Sequence, residues 1–454
     1  MGELFGTDGI RAIAGEHPLD GKTIFTLGRA LVELLQQEGL PPQVLIGRDT
    51  RESGPWIEET LFQGILAGGG EAVSAGVIPT SAVSFLTRKH GFSSGIVISA
   101  SHNPYRDNGI KIFSPLGLKI SEDWETRLEG AIASQKANPE NKSLRISTDL
   151  ALAEDYQEFL VGQLKSTPGK KKLKLVVDCA NGASSAIAPR LFSDLGFSVT
   201  TIHNAPDGKN INLGCGALHP EELASRVHAE RADLGIAYDG DSDRAIWIDE
   251  KGRILNGDHT LFVQARDMRM KERLKSNAVV ATTMSNMGLE KALAEMGIEL
   301  VRTRVGDKYV LEKMMELGSN LGGEQSGHTI FLDECPTGDG LLTSLKMLDV
   351  MQGRQASLSE LAGELREFPQ VLLNVRVKAK PDFGRFPEIV EVMEEVKRQL
   401  ADSGRLDVRY SGTEPLARVM VEGEDRIRVE SLARRMAGVL AKYLGKGDPD
   451  ETGG

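Results

Sequence analysis

The segment Asp239-Gly-Asp241-Ser-Asp243-Arg244 sets three carboxylates at alternate positions between two strand patterns, 235–238 and 245–249. Drawn together, such groups repel one another by about 4 kcal/mol per pair at about 4 Å and an effective dielectric near ~20. A cation relieves that repulsion, and three hard oxygens around a Gly-assisted bend suit Mg²⁺. An EF-hand is the competing arrangement, because Glu250 falls at the twelfth loop position. It fails because Arg244 stands where the sixth position needs Gly and because the flanks are strand-like rather than helical. A solvated acidic turn stays open as the alternative.

Three other loops carry reactive side chains. In Gly95-Ile-Val-Ile-Ser99-Ala100-Ser101-His102-Asn103-Pro104 a strand pattern delivers a hydroxyl to a loop whose proline prevents helical continuation. Ser101 is expected to be presented rather than buried, and the following Asp107-Asn-Gly-Ile-Lys111-Ile returns Lys111 toward it through one turn. The Gly-lined run Gly322-Gly-Glu324-Gln-Ser326-Gly-His328 offers adjacent donors and acceptors for vicinal sugar hydroxyls. Arg409-Tyr-Ser411-Gly412-Thr413-Glu-Pro415, with Arg418, has the composition of a phosphate cradle: guanidinium forks, hydroxyls and backbone N–H groups that Gly leaves accessible. Taken singly, each of the three also reads as an ordinary polar turn.

The surrounding sequence has to supply strands that end at these loops. A helical period over 21–37 and an apolar run at 44–47 open an α/β rhythm. A helical stretch near 151–165 leads into the basic turn-rich 166–172, after which 173–178 reads as a buried strand. Further strands are expected at 234–238 and 278–282. Beyond 369 the pattern changes to alternating strands at 371–377 and 419–421, with helices at 387–400 and 426–443. These transitions suggest domains at 1–155, 156–255, 256–368 and 369–454, the last a smaller α+β domain. No internal sequence repeat is visible.

Composition bounds the partners. A chain of 454 residues, 26% charged and 40% hydrophobic, is long enough for several cores. Its net charge of −11 disfavours nucleic acid and anionic membranes, so an anionic ligand has to meet local positive charge. Cys179, Cys215 and Cys335 are odd in number and widely spaced, which suggests neither a disulfide framework nor a zinc site and fits a reducing cytoplasmic setting. The opening residues have no apolar signal core, and a soluble, unprocessed protein is expected.

In this order, and from Phe5 to Glu422, the four loops resemble the α-D-phosphohexomutase family over essentially the whole chain; Phe5-Gly-Thr7-Asp-Gly-Ile-Arg11 is similar to that family's opening motif. The resemblance implies three α/β domains with mixed sheets plus a smaller α+β C-terminal domain around a central cleft. It implies a phosphosugar mutase working through phosphoserine at Ser101 and a hexose 1,6-bisphosphate, with one Mg²⁺ per subunit held by Ser101, Asp239, Asp241 and Asp243. Lys111, His328, His102 and Arg244 would be catalytic. Thr7, Arg11, Gly306, Asp307, Glu324, Ser326, Arg409, Ser411, Gly412, Thr413 and Arg418 would bind substrate. Gly214-Cys-Gly-Ala-Leu-His-Pro-Glu221, Gly323-Glu-Gln-Ser-Gly-His328 and Thr337-Gly-Asp-Gly340 are similar to the branch acting on glucosamine phosphates more than to those acting on mannose or glucose phosphates. Ala217 and Leu218 depart from the Ser-Thr usual in that branch, and Tyr410 occupies a variable position. The expected partner is a small phosphosugar, without nucleic acid or membrane and with a homodimer as the candidate assembly. A serine phosphohydrolase could use the same nucleophile and metal but gains nothing from a remote phosphate grip. A non-catalytic sugar-phosphate sensor would not need Ser101, Lys111, three aspartates and His328.

Overall fold

The computed structural model describes residues 4–6, 8–134, 144–166, 172–411 and 415–445. The chain divides into two compact units, one of Met1–Thr282 with Gly297–Glu364 and one of Thr283–Met296 with Leu365–Gly454.

The first unit contains three mixed sheets. The first joins β1 (Ile10–Ile13), β2 (Gln43–Arg48), β3 (Glu71–Val77), β4 (Ser94–Ile98) and β5 (Asp107–Phe113) in the order β1-β5-β4-β2-β3. The second joins β6 (Lys174–Asp178), β7 (Ser198–Ile202), β8 (Leu234–Tyr238), β9 (Ala245–Asp249) and β10 (Ile254–Leu255) in the order β10-β9-β8-β6-β7. The third joins β11 (Ala278–Thr282), β12 (Glu299–Thr303), β13 (Leu321–Gly323) and β14 (Thr329–Phe331) in the order β12-β11-β13-β14. The same plan recurs in all three. A central strand (β2, β6, β11) runs parallel to the next two strands of the chain, and the second of those passes directly to an antiparallel partner. Strands β4, β8, β9 and β11 are buried at every residue, which is why they read as unbroken apolar runs.

Helices cover these sheets through their apolar stripes. In the helix Gly21–Gln37, Ile24, Leu27, Leu31, Leu34 and Leu35 are buried at three- and four-residue spacing, and Asp20 caps the start by accepting from the Thr23 N–H at 3.0 Å. The neighbouring helix Gly54–Ala67 approaches it backbone to backbone: a Cβ on Gly28 would stand 2.7 Å from the Leu61 carbonyl, and one on Gly64 would enter the carbonyl of Phe25. Gly64→Ala is therefore expected to lower stability by about 1–3 kcal/mol through overpacking. Gly130→Ala in the helix Glu122–Ser134, where nothing lies within 4 Å, should raise it by up to about 1 kcal/mol. Thermal unfolding of the two variants checks the opposite signs. The helix expected near 151–165 is Leu150–Val161, which ends where the backbone N–H of Gly162 turns back to the Glu158 carbonyl.

The second unit is a three-stranded antiparallel sheet of β15 (Gln370–Arg376), β16 (Gly404–Tyr410) and β17 (Leu416–Gly423) in the order β15-β17-β16. Helices Pro387–Leu400 and Arg426–Leu444 pack Ile389, Val396, Leu432 and Met436 against Val375, Val419 and Val421. The helix Met287–Glu295 also belongs to this unit; its first N–H donates to Glu422 Oε1 at 2.8 Å, and Asn286 Nδ2 donates to the Phe368 carbonyl at 3.0 Å. The three cysteines are buried and unpaired. Among the described residues, no helix is long and apolar enough to cross a membrane.

Candidate active site

The repeated plan of the sheets puts a short connection at one equivalent place three times. β4 leads to β5 through 99–106, β8 to β9 through 239–244, and β13 to β14 through 324–328. Those connections are the serine loop, the aspartate loop and the Glu324–Ser326–His328 loop. One topological position, used in three sheets, accounts for three of the four loops singled out in the sequence.

Ser101 is not presented as the sequence suggested; it is 1% exposed. Its Oγ donates to Asp239 Oδ2 at 2.6 Å, so the aspartate loop of the second sheet closes over the serine. Ser101 has φ 52°, a left-handed conformation that a residue with a Cβ adopts at a cost of about 1–2 kcal/mol. His102 Nδ1 lies 3.4 Å from Ser101 Oγ. Burial, with the charges of Arg244 and Arg11, pulls His102 down to about 4, so its ring is neutral at physiological pH.

Asp239, Asp241 and Asp243 are all buried, and one oxygen of each lies within 4.8 Å of the others. Lys111, returned by β5, contacts Asp241 Oδ2 at 2.9 Å, Asp8 Oδ2 at 3.1 Å and Asp243 Oδ2 at 3.5 Å. Burial would discharge this lysine, but the charges of Asp241, Asp8 and Asp243 hold its pKa well above the ordinary value. Arg244 donates its backbone N–H to Asp239 Oδ1 at 3.2 Å and sets Nε 3.7 Å from Asp243 Oδ1. Asp243 is held below the usual carboxylate range, because Lys111, His328 and Arg244 outweigh the opposing effect of burial. Asp239 goes the other way: burial and then the charges of Asp243 and Asp241 push it well above that range. Asp241 Oδ1 and Asp243 Oδ1 are buried without a hydrogen-bond partner. A frustrated carboxylate beside two oxygens that accept no hydrogen bond fits a divalent metal ion held by the triad. Glu250, the residue an EF-hand would require, instead accepts from the Ser359 N–H at 3.2 Å.

Around the third connection, Glu324 Oε1 accepts from the Gly306 N–H at 3.1 Å and Ser326 Oγ donates to Glu324 Oε2 at 3.4 Å. His328 is buried, 3.6 Å from Asp243 Oδ2 and 3.7 Å from Asp307 Oδ2. Burial would lower its pKa, but Asp243, Asp307 and Glu324 raise it to about 9. The Gly338 N–H points at Nε2 from 3.0 Å and opposes a proton there, so when the ring is neutral its one proton sits on Nδ1, facing Asp243. Asp307 also accepts from Lys119 at 2.6 Å, and Lys119 pairs with Asp8. Alternating charges thus run from Lys111 through Asp8, Lys119 and Asp307 to His328. Arg11, on β1, pairs with Asp8 as well.

In the second unit, Arg409 and Arg418 are direct cross-strand partners in β16 and β17. Like charges placed opposite one another destabilise a sheet, which is the arrangement expected where an anion is to be held. Ser411 follows β16 and donates its N–H to the Leu416 carbonyl at 2.8 Å. Asp407 Oδ2 lies 3.3 Å from Arg409 Nε. Tyr410 turns aside to stack on Phe383 at 4.4 Å and donate to the Pro381 carbonyl. Thr7, Gly412 and Thr413 lie outside the described residues.

The structure therefore brings together Ser101, His102, Lys111, the three aspartates, Arg244 and His328, with Arg11, Gly306, Asp307, Glu324 and Ser326 linked to them through Asp8 and Lys119 or through the third connection. Sequence reasoning missed Asp8 and Thr80. Thr80 Oγ1 donates to Asp241 Oδ2 at 2.6 Å. Asp8 lay inside a motif already noticed, but its pairing with three cations, Lys111, Lys119 and Arg11, is a tertiary fact.

Residues 2–139, 154–252, 256–368 and 372–439 match models described as phosphoglucomutase/phosphomannomutase alpha/beta/alpha domains I, II and III and the C-terminal domain. The chain is 48% identical to a phosphoglucosamine mutase of Koribacter versatilis, across 98% of this chain and 97% of that one. It is 45% identical to a phosphoglucosamine mutase of Solibacter usitatus, across 98% and 99%. Among solved structures, a phosphoglucomutase/phosphomannomutase family protein from Burkholderia thailandensis superposes with a TM-score of 0.80 at 25% identity, covering 97% of this chain and 98% of that one. The N-acetylphosphoglucosamine mutase of Aspergillus fumigatus, in complex with GlcNAc-6P and magnesium, shares the fold with a TM-score of 0.68 at 18% identity, covering 97% and 95%.

Proposed function

The chain belongs to the phosphoglucomutase/phosphomannomutase family, and from that premise we propose that it is a phosphoglucosamine mutase, interconverting glucosamine 6-phosphate and glucosamine 1-phosphate. The observation that carries the chemistry is Ser101 Oγ, 2.6 Å from a carboxylate of a buried aspartate triad. A serine so placed is a phosphoryl carrier. In one half-reaction the P–O bond to Ser101 breaks as a new bond forms to the free hydroxyl of the hexose monophosphate, giving a 1,6-bisphosphate. In the other half, the second phosphate of that intermediate returns to Ser101 Oγ.

Phosphoserine carries roughly two negative charges. Lys111 and Arg244 supply fixed positive charge beside it, and Asp239, Asp241 and Asp243 would hold Mg²⁺ together with an oxygen at Ser101. The ion, when bound, neutralises charge that develops on the transferring phosphoryl group. Lys111 and His328 are assigned to proton transfer: each is held as an N–H donor by neighbouring aspartates, so one can give its proton to the leaving Ser101 Oγ and be refilled by the proton released from the sugar hydroxyl. His102, neutral and close to Oγ, borders the same serine. Glu324 and Ser326, with the Gly306–Asp307 turn, are assigned to sugar hydroxyls, and Thr7 and Arg11 to the substrate side of the first domain.

Arg409, Ser411 and Arg418, with Gly412 and Thr413, are assigned to a sugar phosphate group. Charge-assisted hydrogen bonds of about 1.5–3 kcal/mol give Arg418→Ala an expected loss of roughly 10–100-fold in kcat/KM. Steady-state kinetics on the purified variant reads that loss; a value within about twofold of wild type would remove Arg418 from the phosphate site.

The test of the whole reading is a coupled assay on glucosamine 6-phosphate, glucose 1-phosphate and mannose 1-phosphate side by side. Preference for the glucosamine substrate is expected. Preference for mannose or glucose phosphate would move the protein to another branch, and inorganic phosphate as the main product would replace the mutase with a hydrolase.

A further inference from the structure

The left-handed backbone at Ser101 needs an explanation that the serine itself does not supply. Its N–H donates to Ser99 Oγ at 2.9 Å, which anchors one side of the residue. Its carbonyl accepts from two side chains at once, Arg51 Nη2 at 2.9 Å and Asn212 Nδ2 at 2.9 Å. The same two groups also share the Asn103 carbonyl, at 2.9 and 3.1 Å. Arg51 Nη1 reaches on to the Asp107 carbonyl at 2.9 Å, where β5 begins. The loop is thus held by its backbone along its length, while Oγ is left for Asp239.

We propose that Arg51 and Asn212 are positioning residues of the mutase cycle, a clamp that fixes the Ser101 peptide so that Oγ meets the aspartate triad. The inference rests on the mutase reading above. Each arm is itself rigid. Arg51 is wholly buried and bridges Asp49, its N–H to Oδ1 at 3.0 Å and its Nε to Oδ2 at 2.9 Å; Ser99 Oγ completes that carboxylate at 2.6 Å. Asn212, at φ 58°, is tied by its N–H to the Ala180 carbonyl at 2.9 Å. Four residues on, the Gly216 N–H donates to Asp178 Oδ2 at 2.9 Å. Gly240 closes the remaining side, since a Cβ there would stand 2.6 Å from the Ser101 carbonyl and 2.8 Å from Asn212 Nδ2.

The two arms come from different sheets. Arg51 follows β2 of the first, and Asn212 lies between β7 and β8 of the second. The serine's conformation therefore depends on the second sheet through an amide as well as through the aspartates. Released from the clamp, the peptide would relax from its strained region and carry Oγ off line. Misplacement by about 1 Å costs on the order of 10²-fold in rate without weakening substrate binding.

Asn212→Ala and Asn212→Asp are the decisive variants, because Arg51→Ala would strand the buried Asp49 charge and could prevent folding. Asp keeps the size of Asn but has no N–H to donate. Both should lower kcat by about 10²-fold with KM within about twofold of wild type. The melting temperature should fall by no more than a few degrees, the scale of two lost hydrogen bonds. Arg51→Lys keeps a charge opposite Asp49 but lacks the planar fork, and is expected to lose kcat in the same way. Wild-type kcat in both Asn212 variants, a loss expressed only in KM, or a loss that merely tracks a fall in melting temperature would each overturn the proposal. A wild-type protein inactive on all three sugar phosphates would instead sink the mutase reading, so the two failures are distinct.

Discussion

Ser101→Ala should leave a folded protein that turns over glucosamine phosphate at least about 10⁴-fold more slowly than wild type, the scale on which loss of a covalent nucleophile acts. Two neighbouring hydroxyls are already committed and do not stand in for Oγ as phosphoryl carrier: Thr80 Oγ1 donates to Asp241 and Ser99 Oγ to Asp49. The fold should survive because what holds the loop is backbone. The Ser101 N–H and carbonyl keep their bonds to Ser99, Arg51 and Asn212 whatever the side chain. Alanine also has a Cβ, so the strain at φ 52° is unchanged. The substitution removes the hydroxyl's bond to Asp239, worth about 1.5–3 kcal/mol when the acceptor is charged and less when it is protonated. Two measurements read the outcome: turnover in the coupled assay, and the mass of the intact protein after exposure to glucose 1,6-bisphosphate. Wild type should acquire a phosphoryl group and the variant none. Turnover near the wild-type rate, or phosphorylation that persists without Oγ, would end the role assigned to Ser101.

Much of the frame around this site was legible because buried strands write themselves as apolar runs. The limits 234–238 and 278–282 coincide with β8 and β11, and 387–400 with the helix Pro387–Leu400. Reactive loops were legible for a related reason. A hydroxyl, a carboxylate cluster or an arginine pair placed where a strand pattern stops has no packing role to explain it.

What stayed hidden is what depends on pairs of residues far apart in the chain. The three-fold repetition of one sheet plan lies in hydrogen-bond register, which sequence identity between the units does not record. Nothing beside Arg51 in the chain marks it; only the approach of residues 101–107 turns it into a clamp. The burial of Ser101 was misjudged because the lid is residue 239, more than a hundred positions away. The helix Met287–Glu295 sits in the chain between two strands of the third sheet, yet packs with the C-terminal unit through Glu422 and Phe368. No local pattern signals that choice.

Asp239→Asn should abolish metal dependence while making the metal-free protein no less stable, a pairing that a purely structural aspartate would not produce. The charged form of Asp239 is opposed by its surroundings: burial and the charges of Asp243 and Asp241 all raise its pKa, against Arg244 and the Ser101 hydroxyl. An acid whose folded pKa is raised binds more protons folded than unfolded. Its contribution to stability is lost as pH rises from its unfolded pKa near ~3.9 toward the higher folded value. Stripped of metal, wild type should lose stability across that interval. Asparagine mimics the protonated acid and removes this slope. It can still accept from Ser101 Oγ; it forfeits the Arg244 N–H bond at 3.2 Å, about 1 kcal/mol, and the charge facing Arg244 Nε at 3.9 Å, while gaining relief from Asp241 and Asp243. Added Mg²⁺ should raise the melting temperature of wild type, since a ligand of the folded state alone stabilises by RT ln(1 + [L]/Kd). The variant should show little response and a turnover at least about 10²-fold lower, beyond what loss of an outer-shell partner causes. If Asp239→Asn kept the Mg²⁺-dependent shift and most of its turnover, the triad would be a structural charge cluster, and the metal would have to be sought elsewhere.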